Sequence, residues 1–329
     1  MMGGVRIVSL LPSATEIVSL LGLDDALVGV SADSDWPPAL VRRLPVLNTV
    51  SIDSDNMSSA EIDRAASASG HQGASLYHVD ADLLRQLQPD LVLTQEICEV
   101  CAVSRRDVEL ASETLGYTPQ VVSLSPVSLD QVFEDVELVA RLAGTPQRSA
   151  QAIDSLRRRV DAVRTRAEGL SRPRVFCMEW LDPPYTAGHW VPEMVGIAGG
   201  RDELGTAAGP SRRIDWSDIV AYQPEAVVLM PCSLELERVA GEFELLTGRP
   251  SWHDRPAARS GRVFAGNTHL FSRSGPRLVD GLETLARVLH PEVFEGPLPA
   301  GQALKVSADG ERLEPYTEPG RQGSALPWR

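Results

Sequence analysis

No run in this chain approaches the ~18 consecutive apolar residues of a membrane-spanning helix, so membrane insertion is not expected. The opening Met-Met-Gly-Gly-Val-Arg passes at once into the strand-like Ile7-Val8-Ser9-Leu10-Leu11. It has no basic segment followed by a long apolar stretch and a small-residue cleavage site, the pattern of a secretory leader. Nor does a cysteine stand in lipid-attachment position, the first being Cys98. These absences set the expectation of a cytoplasmic protein. Positive charge is short as well: 31 basic residues face 45 acidic ones, a net charge of −14. Nucleic acid is thereby excluded as an expected partner, because its binders need a basic footprint. An anionic membrane surface is disfavoured for the same reason. The familiar catalytic signatures are missing too. There is no Gly-x-Ser-x-Gly, no phosphate-cradling Gly-x-x-x-x-Gly-Lys-Ser/Thr, and no Gly-x-Gly-x-x-Gly after the first strand. The histidines (His71, His78, His189, His253, His269 and His290) form neither His-x-His nor His-Glu-x-x-His. No enzyme is therefore expected.

What is present reads as an α/β protein. At 329 residues and 43% hydrophobic content, the chain is long enough for two domains with packed cores. The apolar run Val5–Leu11 precedes Pro12-Ser13-Ala14-Thr15-Glu16, where Ser13 or Thr15 can cap a helix that Gly22 ends. Leu27–Val30 is a second strand, and Trp36-Pro37-Pro38 forces a loop after it. Residues 51–80 are polar, with a helix over 58–67. A helix over 80–87, strands over 89–93 and 120–124, and helices over 128–143 and 147–170 follow. After Ser171-Arg172-Pro173 a new strand begins, Arg174–Trp180.

The second half repeats the first. Asp82-Leu83-Leu84 leads to Gln88-Pro89-Asp90-Leu91-Val92-Leu93, and Asp218-Ile219-Val220 leads to Gln223-Pro224-Glu225-Ala226-Val227-Val228-Leu229. Helix, Gln-Pro-acid, apolar strand recurs in two strand–helix–strand series, which points to duplication. The last convincing helix runs from Gly275 or Pro276 to Leu289, and the Pro- and Gly-rich end reads as a loose tail.

Several further stretches carry a family resemblance when taken in order: Ile7 to Glu16, Ser34-Asp35-Trp36-Pro37-Pro38, Gln88 to Leu93, Asp182-Pro183-Pro184-Tyr185-Thr186-Ala187-Gly188, Arg213-Ile214-Asp215-Trp216 and Phe271 to Arg277. Over roughly residues 5–290 the chain resembles the cobalamin-binding substrate-binding proteins of ABC transporters, in the class that also holds iron–siderophore and haem binders. The resemblance implies two Rossmann-like lobes with parallel sheets, joined by a long backbone helix, with a ligand cleft between the lobes. It divides the chain into an N-terminal lobe (1–146), a bridging helix (147–170), a C-terminal lobe (171–295) and a poorly structured tail (296–329). It places the ligand contacts at Ser34, Asp35, Trp36 and Pro37, at Gln95 and Glu96, at Tyr185 and Thr186, and at Trp216, Phe271 and Arg273. His189 follows one of these loops. The implied ligand is cobalamin or a related corrinoid or tetrapyrrole, bound without catalysis for uptake, storage or delivery to an unspecified partner protein. The absent export signal suggests an intracellular branch.

The four cysteines open an alternative. Cys98-Glu99-Val100-Cys101 follows the strand 89–93 at the end where α/β folds bind ligands. Cys232 follows the strand around Ala226–Met230, and Cys177 lies in the first strand of the second half, near Glu179. Converging thiolates would suit Zn or an Fe–S cluster, or the cobalt of a corrinoid. Cys177 and Cys232 also fit as small buried hydrophobes. Among the aromatics, Trp36 and Trp216 are the expected flat walls out of Trp36, Trp180, Trp190 and Trp216, ahead of Tyr185 and Phe271, and Trp180 suits a core equally. Glu179, Glu16 and Asp215 are candidate cleft acids, Glu16 being better explained by the positive end of a helix. The functions left open are a corrinoid binder, a metal or cluster protein, and an enzyme with an unrecognised site.

Overall fold

The computed structural model describes residues 4–72, 75–97, 102–113, 115–306 and 313–315. The chain divides into two compact units. The first holds residues 1–156 with 273–276, and the second holds 157–272 with 277–329. The boundary falls inside the helix Gln147–Ala167, the segment expected over 147–170.

In the first unit, four parallel strands stand in the order Leu27–Val30, Ile7–Ser9, Leu91–Thr94, Gln120–Ser123. Ile7–Ser9 and Leu91–Thr94 are buried throughout, as parallel strands covered on both faces must be. One face packs Val8, Leu10, Leu47, Leu84, Val92, Val103 and Val108 into a single core. The helix Leu129–Leu142 buries Val132, Phe133, Val136, Val139 and Ala140, a stripe at helical spacing.

In the second unit, Val263–Gly266, Ala226–Leu229 and Val175–Trp180 form a parallel centre. Tyr185–Thr186 pairs antiparallel with Val175–Trp180 at one edge. On the other side Ala303–Val306 and Leu313–Pro315 add two antiparallel strands. The expectation of a loose tail over 296–329 is corrected at 303–306 and 313–315, while 307–312 and 316–329 lie outside the described residues. Ala303-Leu304-Lys305-Val306 is a short apolar-alternating run, and Val263–Gly266 offers it an open edge.

The duplication reaches the level of single hydrogen bonds. The helices Ala81–Leu87 and Trp216–Tyr222 both end on a glutamine in the left-handed region, Gln88 (φ 42°) and Gln223 (φ 53°). The acid after each proline then grips the residue before the unit's first strand. Asp90 Oδ2 accepts from Arg6 N at 2.8 Å, and Glu225 Oε2 accepts from Arg174 N at 2.9 Å. Both arginines reach back to the preceding helix end, Arg6 donating to Leu87 O and Arg174 to Gln223 O.

Several elements differ from expectation. Ser13 and Thr15 do not cap the first helix. Pro12 starts it, with its fixed φ suited to that position, and the preceding Leu11 supplies no side-chain cap. The helix expected over 58–67 runs on to Gln72, and a small antiparallel pair, Asn48–Val50 with Tyr77–Val79, flanks it. Arg105–Ser112 forms a further helix, opened by a reciprocal cap between Ser104 and Asp107.

Two glycines test the packing in opposite senses. A Cβ on Gly281 would lie 2.2 Å from Leu270 O, a backbone atom that cannot step aside. Gly241, near the end of the helix Leu236–Glu242, has open space. Gly281→Ala is expected to destabilise the protein by about 1–3 kcal/mol despite alanine's better helix propensity. Gly241→Ala is expected to stabilise it by up to about 1 kcal/mol. Urea unfolding of the two variants checks both signs.

Candidate functional site

The loops after the strands of the first unit are tied down from beneath. Ser9 Oγ donates to Leu11 O at 2.8 Å, Thr15 Oγ1 donates to Ser9 Oγ at 2.9 Å, and Thr15 and Ser34 hydroxyls lie 3.0 Å apart. Ser34 and Ser31 hydroxyls lie 2.9 Å apart, and all four residues are buried. Ser34 is therefore a member of an internal hydroxyl chain, not a surface ligand contact as expected. Its neighbours point outward. Asp35 pairs with Arg273, whose guanidinium also donates to Asp33 O at 3.0 Å. Trp36 is 47% exposed, among the largest apolar surfaces of the described residues. Four of the expected contacts, Asp35, Trp36, Pro37 and Arg273, thus gather at one loop. Glu16 is buried in the first helix, its carboxyl lodged against Gly275.

Gln95 is also corrected. It is buried, its Oε1 accepts from Ile97 N at 2.6 Å, and its amide reaches Ala102 O at 3.4 Å. It stitches its own loop and has no polar atom left facing out. Glu96 is exposed, with its backbone N–H on Ser125 Oγ. Cys98 and Cys101 lie outside the described residues.

In the second unit, residues 184–189 and 206–214 form one zipped surface. Thr186 N donates to Arg212 O (2.9 Å), His189 N to Gly209 O (2.6 Å), Ala208 N to His189 O (2.9 Å) and Ile214 N to Pro184 O (3.0 Å). Thr186 is fully buried and its hydroxyl accepts from Arg212 N, so its role is to hold this zip. Tyr185 is half-buried under the Arg213 guanidinium, 5.8 Å from its ring centre. His189 adopts φ 53° beside Trp190, and its buried Nδ1 has no hydrogen-bond partner. Burial lowers its pKa, so the imidazole is neutral at physiological pH. Trp216 is half-buried, donating to Pro250 O at 2.8 Å and packing on Trp252.

Phe271 is the clearest correction. It is 1% exposed, and its ring fills space left by Gly266 and Gly281, where added Cβ atoms would come within 2.7 and 3.1 Å of it. Its carbonyl accepts from Trp190 Nε1 at 2.6 Å. It is core, and its pattern of flanking glycines was the signal that could have shown this.

Cys177 is fully enclosed, and burial pushes its thiol well up, with Asp202 and Glu179 adding to the shift. That environment disfavours the thiolate a metal needs. Cys232 is half-buried, its N–H on Glu179 O at 3.2 Å. Among the described residues, no three His, Cys, Asp or Glu side chains are grouped so as to hold a metal ion.

Of the two acids at the root of this surface, Glu179 was a candidate from sequence and Asp202 was not. Burial pushes Glu179 up to about 8, against accepted bonds from Gly188 N and the Ser211 hydroxyl that pull the other way. Burial likewise pushes Asp202 up to about 7. Asp202 caps the turn at Leu204 and Gly205.

The chain matches the family described as "Periplasmic binding protein" over residues 7–268 and belongs to it. It is 24% identical over 296 residues to an uncharacterized ABC transporter substrate-binding lipoprotein of Bacillus subtilis, covering 88% of this chain and 81% of that protein. It is 24% identical over 290 residues to the vitamin B12-binding protein of Vibrio cholerae serotype O1, covering 86% of this chain and 88% of that one. A solved periplasmic heme binding protein from Pseudomonas aeruginosa aligns with a TM-score of 0.67 at 25% identity, covering 92% of this chain and 97% of that one. The chain is accordingly a substrate-binding protein, not an enzyme, with the two-lobed α/β fold of that group.

The raised carboxyls have a thermodynamic consequence. A carboxyl that holds its proton more tightly folded than unfolded contributes full stability below its unfolded pKa and loses it as pH rises to its folded one. Glu179 and Asp202 therefore predict falling stability from the ordinary carboxylate range up to about 8. Urea midpoints should decline across that window, and Glu179→Gln and Asp202→Asn should each flatten the decline.

Proposed function

We propose that this protein binds cobalamin or a closely related tetrapyrrole and hands it to an ABC-transporter permease. The observation that carries the reading is the loop Asp33–Pro37. It presents an exposed tryptophan on a rigidly anchored base, in a chain whose relatives include a protein named for vitamin B12 binding. A corrin is broad and largely apolar with amide edges, so a flat indole face beside a guanidinium and a carboxylate suits it. Trp36, Asp35 and Arg273 are the contacts proposed from the first unit. Tyr185, His189 and Trp216 are those proposed from the second.

Haem is the second tetrapyrrole to weigh, because a solved neighbour is a heme binding protein and His189 offers a neutral imidazole. Its Nδ1 is buried, so ligation of iron or cobalt would fall to Nε2.

Titrating the protein with cyanocobalamin and with haemin, followed by visible absorbance, decides between them. Saturable cobalamin binding is expected, and Trp36→Ala should weaken it about tenfold, the worth of one good aromatic contact. Haemin binding with a Soret shift lost in His189→Ala would move the assignment to haem. Binding of neither ligand overturns the proposal.

A further inference from the structure

The segment 184–189 carries Tyr185, Thr186 and His189, yet only Tyr185–Thr186 belongs to the main sheet of its unit. Beyond Thr186 the chain leaves that sheet and pairs with 206–214. Gly188 sits at the tightest point. A Cβ there would lie 2.3 Å from Ser211 N and 2.7 Å from Gly209 O, so the two backbones touch. Glu179 rises from the last turn of the strand Val175–Trp180 directly into this crossing. Its Oε1 accepts from Gly188 N at 3.1 Å, and the same carboxyl takes the Ser211 hydroxyl. One side chain therefore holds both halves of the zip.

We propose that Glu179 is the positioning residue of this ligand-facing surface, its carboxyl group fastening Gly188 to Ser211 and so fixing Tyr185 and His189 in place for the ligand. On the binding role proposed above, it tunes affinity without touching the ligand, and it does so in a pH-dependent way. The titratable groups that face it are Asp202, ahead of the strand Thr206–Ala207, Cys232, after Ala226–Leu229, and Cys177 on its own strand. Asp202 loses its proton in an overlapping range while the Cys177 thiol stays neutral, so ionising Glu179 sets two carboxylates in one buried site; burial and this repulsion, only partly offset by the two accepted bonds, loosen the crossing. The carboxamide of Glu179→Gln keeps an acceptor for Gly188 and carries no charge at any pH.

Two measurements on the full chain test this. The first is amide hydrogen exchange without ligand over residues 184–189 and 206–214. Exchange is expected to rise at both segments in Glu179→Ala. In the wild type it should rise, after correction for the intrinsic rate, between about pH 7 and pH 9, and in Glu179→Gln it should not. The second is cyanocobalamin titration. Glu179→Ala should lose about tenfold or more in affinity, and Glu179→Gln should stay near wild type at pH 7 and lack the alkaline fall. Ser211→Ala, which removes one arm of the clasp, is expected to fall between wild type and Glu179→Ala, and it serves if Glu179→Ala does not fold. Unchanged exchange in Glu179→Ala and Ser211→Ala overturns the proposal, as does an alkaline fall that persists in Glu179→Gln. If the wild type binds neither cyanocobalamin nor haemin, the binding reading fails and exchange alone decides the clasp.

Discussion

The structure depends on how its parallel strands are kept in register. Strands buried on both faces cannot rely on alternation of apolar and polar residues, because a slip by one residue exposes nothing. Here the register is imposed at the N-terminal end by a polar lock. Asp90 and Glu225 each accept the backbone N–H of the arginine that opens their unit's first strand, and each returns its own N–H to that arginine's carbonyl. The locks align Ile7 with Leu91 and Val175 with Ala226. The loops that leave the opposite ends of these strands, the one leading to Tyr185 among them, start from that register.

Both units then use polar groups beneath their outward loops, but of different kinds. The first unit uses hydroxyls, from Ser9 through Thr15 to Ser34 and Ser31, which are neutral at every physiological pH. The second uses carboxyls, Glu179 and Asp202, whose proton affinity is raised by burial. One duplicated scaffold thus rests one set of loops on a chain of hydroxyls and the other on carboxyls whose charge changes with pH. Buried hydroxyls cost little to satisfy, whereas a buried carboxyl is stable there mainly in its protonated form.

The architecture was legible because its strongest signals are long or repeated. Apolar strands such as Leu91–Thr94, the helical stripe of Leu129–Leu142 and the twin Gln-Pro-acid turns needed no tertiary information. Shorter features were not legible. Asn48–Val50 and Tyr77–Val79 are too brief to show a period, and Ala303–Val306 sits amid glycine and proline and gains its structure only from the edge it joins. The Ser-x-x-Asp cap of Arg105–Ser112 was there to be read. At the site, loops were easier to find than directions. Asp33–Pro37 and 184–189 were marked by prolines and aromatics, but whether a side chain turns in or out depends on distant partners. Phe271 turns in because Gly266 and Gly281 make room for it, and Gln95 turns in because its own loop needs its amide.

The C-terminal strands bear on how the protein behaves in a crowded solution. Without Ala303–Val306, the apolar strand Val263–Gly266 would present an unpaired row of backbone donors and acceptors, a template for another chain. With it, the sheet's margin among the described residues passes outward to Leu313–Pro315, a strand of three residues that ends in proline and has one donor fewer to offer. A segment that looks like trailing sequence acts as a selvedge, keeping the weave of the sheet from catching on its neighbours.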